Sequence, residues 1–132
     1  MKRNTHIAAS IIFAIFGTIL INILLNGTLP DSITNFIYFF LNMRVYIFLI
    51  MIVFSVLGGI LPDILDPPFT KKHRRYAHSK ILLVIFSTLL LFTVVLIFIK
   101  REKIILWPIY YFLIGYISHL VLDSFTPAGL WG

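Results

Sequence analysis

Residues 81–99 read ILLVIFSTLLLFTVVLIFI, an apolar run without a charged side chain. As an α-helix this run is about 28 Å long, which matches the roughly 30 Å hydrocarbon core of a bilayer. Residues 7–25, 43–61 and 104–122 are also predominantly apolar and of similar length. The spacing predicts an all-α integral membrane helical bundle with about four transmembrane helices, formed as a single domain over residues 1–132.

The composition also indicates that lipid is the main solvent of the chain. Hydrophobic residues make up 60% of the sequence and charged residues 12%, and the mean hydropathy is +1.01. A soluble protein of this composition would lack polar surface. The formal net charge of +6 is therefore interpreted as topology signals and lipid contacts, and no nucleic-acid partner is expected. The chain has no cysteine, so any metal site must use nitrogen and oxygen ligands.

Crossing parity predicts how the chain is arranged across the membrane. Residues 7–25 are too long for a secretory signal and are predicted to be the first span. With four crossings, the N-terminus, the second connection and the C-terminus share one side. That side carries Lys2, Arg3 and the basic residues of 71–80, against those of 100–103 opposite, so the positive-inside rule predicts a multi-pass cell-membrane protein with both termini cytoplasmic. An aromatic belt at the opposite interface is predicted from Trp107, Tyr110 and Tyr111.

The second connection, LPDILDPPFTKKHRRYAHSK at residues 61–80, is dense in groups that can carry chemistry. All four histidines and three of the five acidic residues of the chain fall on its side of the membrane. His119 and Asp123 are four residues apart on one predicted helix, so their side chains share a face and can bind one ion. His119 also lies in an apolar helix, where polar groups are costly and tend to be functional. The candidate metal ligands are His6, Asp63, Asp66, His73, His78, His119 and Asp123.

These seven groups are enough for two ions, and conceivably for three. Neutral imidazole together with carboxylate suits zinc, with manganese or iron as alternatives. Asp63 and Asp66 are three residues apart across a turn that Pro62 and the following prolines are expected to stiffen. Taken singly, each histidine could be an ordinary interfacial residue, and the two aspartates could be helix caps or partners of the adjacent basic residues. As a set they favour a metal site.

The basic residues of the same connection have two possible roles. Lys72, Arg74 and Arg75, with Lys71, could anchor lipid headgroups, or they could bind a substrate phosphate and stabilise negative charge. The two roles are compatible.

The segments THIAAS, GGILPDILDPP, HRRYAHS and GYISHLVLDSFTPAGL together resemble the YdjM-like family of predicted membrane-bound metal-dependent hydrolases, over essentially the whole chain. More loosely, their order is similar to that of zinc-dependent phospholipase C and related single-strand nucleases, in which such residues bind zinc ions that hydrolyse phosphoesters. The resemblance implies that Asp66 and His73 are further ligands or support the ligands. It also implies that the metal ligands themselves are His6, Asp63, His78, His119 and Asp123.

The leading hypothesis is a membrane-bound metal-dependent hydrolase in which a metal-activated water attacks a phosphoester of a small molecule or a lipid. The expected catalytic residues are Asp66, His73 and Arg74, and the expected substrate-binding residues are Lys72, Arg74 and Arg75. The alternative is a non-enzymatic multi-pass protein that binds, senses or transports a metal ion. Because the polar groups gather at one end of the predicted helices, surface chemistry is favoured over transport.

Overall fold

The computed structural model describes residues 3–26, 45–66, 77–99, 104–126 and 130. This part of the chain forms a helical bundle, which confirms the predicted fold class. Its four helices are α1 (Arg3–Asn26), α2 (Val45–Leu65), α3 (Lys80–Ile99) and α4 (Leu106–Ser124).

Three of the described helices are long and apolar enough to cross a membrane, over Asn4–Leu24, Tyr46–Leu65 and Lys80–Ile99. Helix α4 occupies the position of the fourth predicted span but falls outside this set. The reason is its polar content, because it carries three tyrosines, two serines, one histidine and one aspartate. These polar side chains are largely buried against protein, so the low hydropathy of α4 reflects its central place in the bundle.

Helix α4 packs against each of the other three helices, and its closest neighbour is α2. Glycines make this approach possible. A Cβ atom at Gly115 would clash with the backbone carbonyl of Ser55, and one at Gly58 would clash with the carbonyl of Phe112. Small residues let two helix backbones approach closely where side chains would hold them apart. The contact aligns the last turns of α2 and α4, and so brings Gly59 beside His119.

The tyrosines of α4 belong to the core of the bundle. The Tyr110 hydroxyl donates a hydrogen bond to the Gly17 carbonyl at 2.8 Å, and the Tyr111 hydroxyl lies 3.0 Å from that of Thr18. Both rings are at most 3% exposed. The predicted aromatic belt is therefore wrong for these two residues, because a buried hydroxyl needs a partner and α1 supplies one to each.

Helix α2 runs past its predicted end at residue 61. Pro62 is buried inside the helix, and the backbone N–H of Asp66 still donates to the Pro62 carbonyl at 2.9 Å. Proline removes one backbone hydrogen bond, but it does not end the helix here. The predicted stiff turn is thus wrong for Asp63, which is helical and lies one turn after Gly59, on the side of α2 that faces α4.

Candidate metal centre

One end of the bundle gathers histidines and aspartates that are far apart in sequence. His6 lies near the start of α1, Asp63 in the last turn of α2, and His78 in the short segment before α3. His119 and Asp123 lie one turn apart near the end of α4. We refer to these five residues as the His/Asp cluster. The three histidines and Asp123 are at most 2% exposed, whereas 24% of the Asp63 side chain is exposed.

Three residues of the cluster, His78, His119 and Asp123, bring ligand atoms close enough together to hold one ion. His78 Nε2 lies 3.1 Å from His119 Nε2 and 3.2 Å from Asp123 Oδ2, and the latter two atoms are 3.5 Å apart. Asp63 Oδ1 lies 3.6 Å from both ring nitrogens. A tetrahedral zinc ion with nitrogen and oxygen ligands holds these atoms about 3.3–3.4 Å apart. The atoms of His78, His119 and Asp123 therefore match the ligand spacing of a tetrahedral metal site to within a few tenths of an ångström.

The backbone of α2 holds the His119 ring in a tautomer that suits a ligand. His119 Nδ1 lies 2.6 Å from the carbonyl oxygen of Gly59. A carbonyl oxygen can only accept, so the hydrogen is on Nδ1 and the neutral ring has a lone pair on Nε2. That lone pair is directed toward the cluster. Metal-binding histidines are typically held by such an outer hydrogen bond.

The segment that carries His78 is fixed at the neighbouring residue, Ala77. The backbone N–H of Ala77 donates to Asp66 Oδ2 at 2.7 Å, and its carbonyl accepts a hydrogen bond from the Tyr116 hydroxyl at 3.0 Å. One contact from the end of α2 and one from α4 therefore set the position of Ala77, which precedes α3. As a result, His78 is presented to the cluster without belonging to a helix.

His6 contacts the cluster from the α1 side. Its ring stacks on that of His119 with 3.8 Å between the centroids, and its Nε2 lies 3.4 Å from Asp123 Oδ1. Asp123 thus presents one oxygen to His6 and the other to His78 and His119. Ligand atoms of His6, Asp63 and His119 also lie within 4.8 Å of one another, which is a second arrangement able to hold an ion. The Nδ1 atom of His6 is buried and has no hydrogen-bond partner among the described residues.

His78 lies before the apolar segment of α3, and its charge state responds to the neighbouring carboxylates. Burial lowers the pKa of its imidazole, but hydrogen bonds with Asp123 and Asp63 outweigh burial and raise the pKa to about 9. Without an ion, the ring is therefore an imidazolium at neutral pH and balances part of the negative charge. A divalent cation can take over this role, and its binding would release the proton.

The structure brings most of the predicted site residues together. His6, Asp63, His78, His119 and Asp123 form the cluster itself. Asp66 lies behind His78, with its Oδ2 3.8 Å from Nδ1 of that ring. The remaining predicted site residues lie outside the described part of the chain: Lys72, His73, Arg74 and Arg75.

Two contributors to the site were not predicted from the sequence. Gly59 acts through its backbone carbonyl, and Tyr116 acts through a hydroxyl that contacts the backbone of Ala77. The signal for the first is the adjacent pair Gly58 and Gly59 within an apolar helix, since such residues mark close helix contacts. For Tyr116 the signal is its helical spacing, because it lies one turn before His119.

The fold and the cluster together define a helical membrane protein with a buried set of histidine and aspartate side chains able to hold a metal ion. The family model of the YdjM inner membrane protein matches residues 1–131, and the chain belongs to this family. No curated protein and no solved structure matches the chain.

Proposed function

We propose that the protein is a membrane-bound metal-dependent hydrolase whose ion is held by Asp63, His78, His119 and Asp123. The observation that carries this proposal is the set of ligand atoms of His78, His119 and Asp123, which lie 3.1–3.5 Å apart, with Asp63 Oδ1 at 3.6 Å from both imidazole nitrogens. Zinc is the best match to this geometry and to mixed imidazole and carboxylate ligands, and manganese and iron are the alternatives.

The residues around the ion have distinct tasks in this mechanism. A divalent ion, when bound, activates water for attack on an ester and neutralises the charge that develops. The Gly59 carbonyl keeps the Nε2 lone pair of His119 directed at the ion. Asp63 is the most exposed member of the His/Asp cluster, so we place the approach of water and substrate beside Asp63. The buried histidines restrict access from the other sides.

A phosphoester, free or linked to a lipid, is the proposed substrate. Asp66 and Ala77, the described residues that flank 67–76 in sequence, are joined by a hydrogen bond beside the cluster. This sequence position supports Lys72, Arg74 and Arg75 as the groups that bind the phosphate, and His73 and Arg74 as catalytic groups. The location of the cluster at one end of apolar helices supports a substrate that is reached from the membrane surface.

Metal content provides the first test of this proposal. The protein is purified in detergent and zinc is measured by elemental analysis in the wild type and in the double variant with His119→Ala and Asp123→Ala. The wild type should retain zinc and the double variant should not. Ser118→Ala is a matched control, because Ser118 is buried next to His119 and, among the described residues, its hydroxyl bonds only to the Gly115 carbonyl of α4, at 2.8 Å. Equal, near-zero metal in all three proteins would contradict the proposal.

Hydrolysis is then assayed with zinc-loaded protein against phosphomonoesters, phosphodiesters and phospholipids, with the same variants alongside. Activity that the control keeps and the double variant loses would support the mechanism.

The burial of the cluster favours one other function, a metal-binding protein without turnover. His78 and His119 are at most 1% exposed, which suits a retained regulatory ion. A protein with that function would bind zinc as tightly as the proposed hydrolase, but would hydrolyse no member of the phosphoester panel. Uptake of zinc by proteoliposomes would further identify a transported ion.

A further inference from the structure

Asp66 occupies a position behind the cluster. It follows the last residue of α2, is only 6% exposed, and accepts the hydrogen bond from the Ala77 N–H through Oδ2. None of the described contacts brings its carboxylate to the cluster side of His78. Its nearest approach to that ring is to Nδ1, at 3.8 Å from Oδ2. The sequence grouped Asp66 with the metal ligands, but its place differs from that of Asp63.

The two nitrogen atoms of the His78 ring have different surroundings. Nε2 lies within 3.6 Å of His119, Asp123 and Asp63. Nδ1 is buried on the other side and makes no hydrogen bond with any described residue. A buried N–H without an acceptor is energetically costly. The Nδ1 hydrogen of His78 therefore needs an acceptor.

His119 shows what is missing at His78. Its Nδ1 already donates to the Gly59 carbonyl, which leaves Nε2 for the ion. Metal-binding histidines almost always donate their second N–H to a carboxylate or carbonyl. For His78 the acceptor at hand is Asp66 Oδ2, and a shift of roughly 0.6 Å would bring 3.8 Å within hydrogen-bond range. That oxygen has two lone pairs, so it can accept from His78 and from Ala77 together.

We propose that Asp66 is a positioning residue that accepts the Nδ1 hydrogen of His78 when His78 binds a metal ion, and that it is neither a ligand nor a group that touches the substrate. This role rests on the proposed function, because it requires an ion at Nε2 of His78. It divides the tasks of the two aspartates: Asp63 faces the ion and Asp66 supports a ligand.

The test is the zinc affinity of Asp66→Asn, measured by chelator competition. Asparagine keeps an oxygen that can accept from the Ala77 N–H, but it removes the negative charge beside His78. We expect zinc to bind about 10- to 100-fold more weakly, as is typical when an outer partner of a ligand is changed. At saturating zinc, X-ray absorption should show the same number of ligands as in the wild type.

Tyr116→Phe is the matched control, because it loosens the same segment through the Ala77 carbonyl without changing any charge near His78. It should lower the melting temperature and weaken zinc binding clearly less than Asp66→Asn does, because His78 keeps its charged acceptor. An equal loss of affinity in both variants would reduce Asp66 to a backbone anchor and overturn the proposal. Wild-type zinc affinity in Asp66→Asn would also overturn the proposal. A loss of binding at saturating zinc as complete as that of His119→Ala would overturn it too, because Asp66 would then be a ligand.

A measurement on the wild type covers the case in which Asp66→Asn does not fold. Nitrogen-15 NMR of the zinc-loaded protein should show His78 protonated at Nδ1 and bound through Nε2, and zinc on Nδ1 would overturn the role. A wild-type protein that binds no zinc at all would instead overturn the proposed function, and this role with it.

Discussion

The Nε2 atoms of His78 and His119 lie 3.1 Å apart, although 41 residues separate them in sequence. Because His119 donates from Nδ1 to Gly59, the hydrogen between the two rings belongs to His78. The contact is thus a proton-bridged pair in the absence of metal, and on the proposed function it becomes a pair of ligands once the proton leaves. Metal binding and proton release are therefore linked at these two residues.

This linkage predicts that zinc affinity depends on pH. The pKa of His78 is raised to about 9 without an ion, so at neutral pH zinc must displace a proton. Affinity should rise by about tenfold per pH unit up to about pH 9, and level off above it. Zinc affinity is measured at several pH values with a chelator of known pH dependence. Affinity that is flat between pH 7 and 8.5 would contradict the assignment.

Replacing Gly115 should disturb both the bundle and the site. In Gly115→Ala the new methyl group meets the Ser55 backbone, which cannot move aside, so α2 and α4 must separate. We expect a loss of about 1–3 kcal/mol of stability, as for other overpacked sites, and weaker zinc binding because Gly59 and His119 move apart. Thermal unfolding in detergent and zinc content are the measurements.

Gly17→Ala is the control for that variant. A methyl group there meets the end of the Ile114 side chain and the Tyr110 hydroxyl, both of which can shift, and it lies far from the cluster. Zinc content should therefore stay at the wild-type level. If both alanine variants retain zinc equally, the close α2–α4 contact does not set the geometry of the site.

His6 should contribute less to zinc retention than His119 does. His6 does not belong to the set of His78, His119 and Asp123, and its Nε2 lies 3.4 Å from the other oxygen of Asp123. His6→Ala is therefore expected to keep its zinc, with weaker affinity because the ring stacked on His119 is lost. Elemental analysis beside His119→Ala checks this. Complete loss of zinc in His6→Ala would make it an essential ligand.

The predicted orientation can be tested with introduced cysteines, because the natural chain has none. On the proposed topology Lys2→Cys lies in the cytoplasm and Lys100→Cys lies on the other side of the membrane. A membrane-impermeant thiol reagent applied to intact cells should label Lys100→Cys and spare Lys2→Cys until the membrane is opened. The reverse pattern would invert the topology, and labelling of both would break the four-crossing arrangement.

Much of the fold was predictable because a bilayer imposes a simple rule on sequence. Helices α1 and α3 begin and end within a few residues of the predicted runs. The juxtaposition of His119 and Asp123 also follows from helical spacing. For His78 and Asp63, the sequence predicts only that they lie on the same side of the membrane as His119 and Asp123. The distances depend on how closely α2 and α4 approach, which is set by Gly58 and Gly115.

The sequence was less informative about what each polar residue faces. Hydropathy does not distinguish a tyrosine that faces lipid from one that faces a neighbouring helix, so the aromatic belt predicted at Tyr110 and Tyr111 is wrong. The role of Gly59 could not be predicted either, because a backbone carbonyl has no signature in sequence. The different places of Asp63 and Asp66 became clear only once α2 was seen to continue through Pro62.

The division of the cluster among separate helices has a consequence for how the protein matures. Asp63 and His78 are synthesised well before His119 and Asp123, which lie on the last of the described helices. Until α4 has packed against α2, the nascent chain has only part of the proposed ligand set. On the proposed function, acquisition of metal is thereby tied to completed assembly of the bundle, and a chain in which α4 has not yet packed against α2 cannot retain an ion.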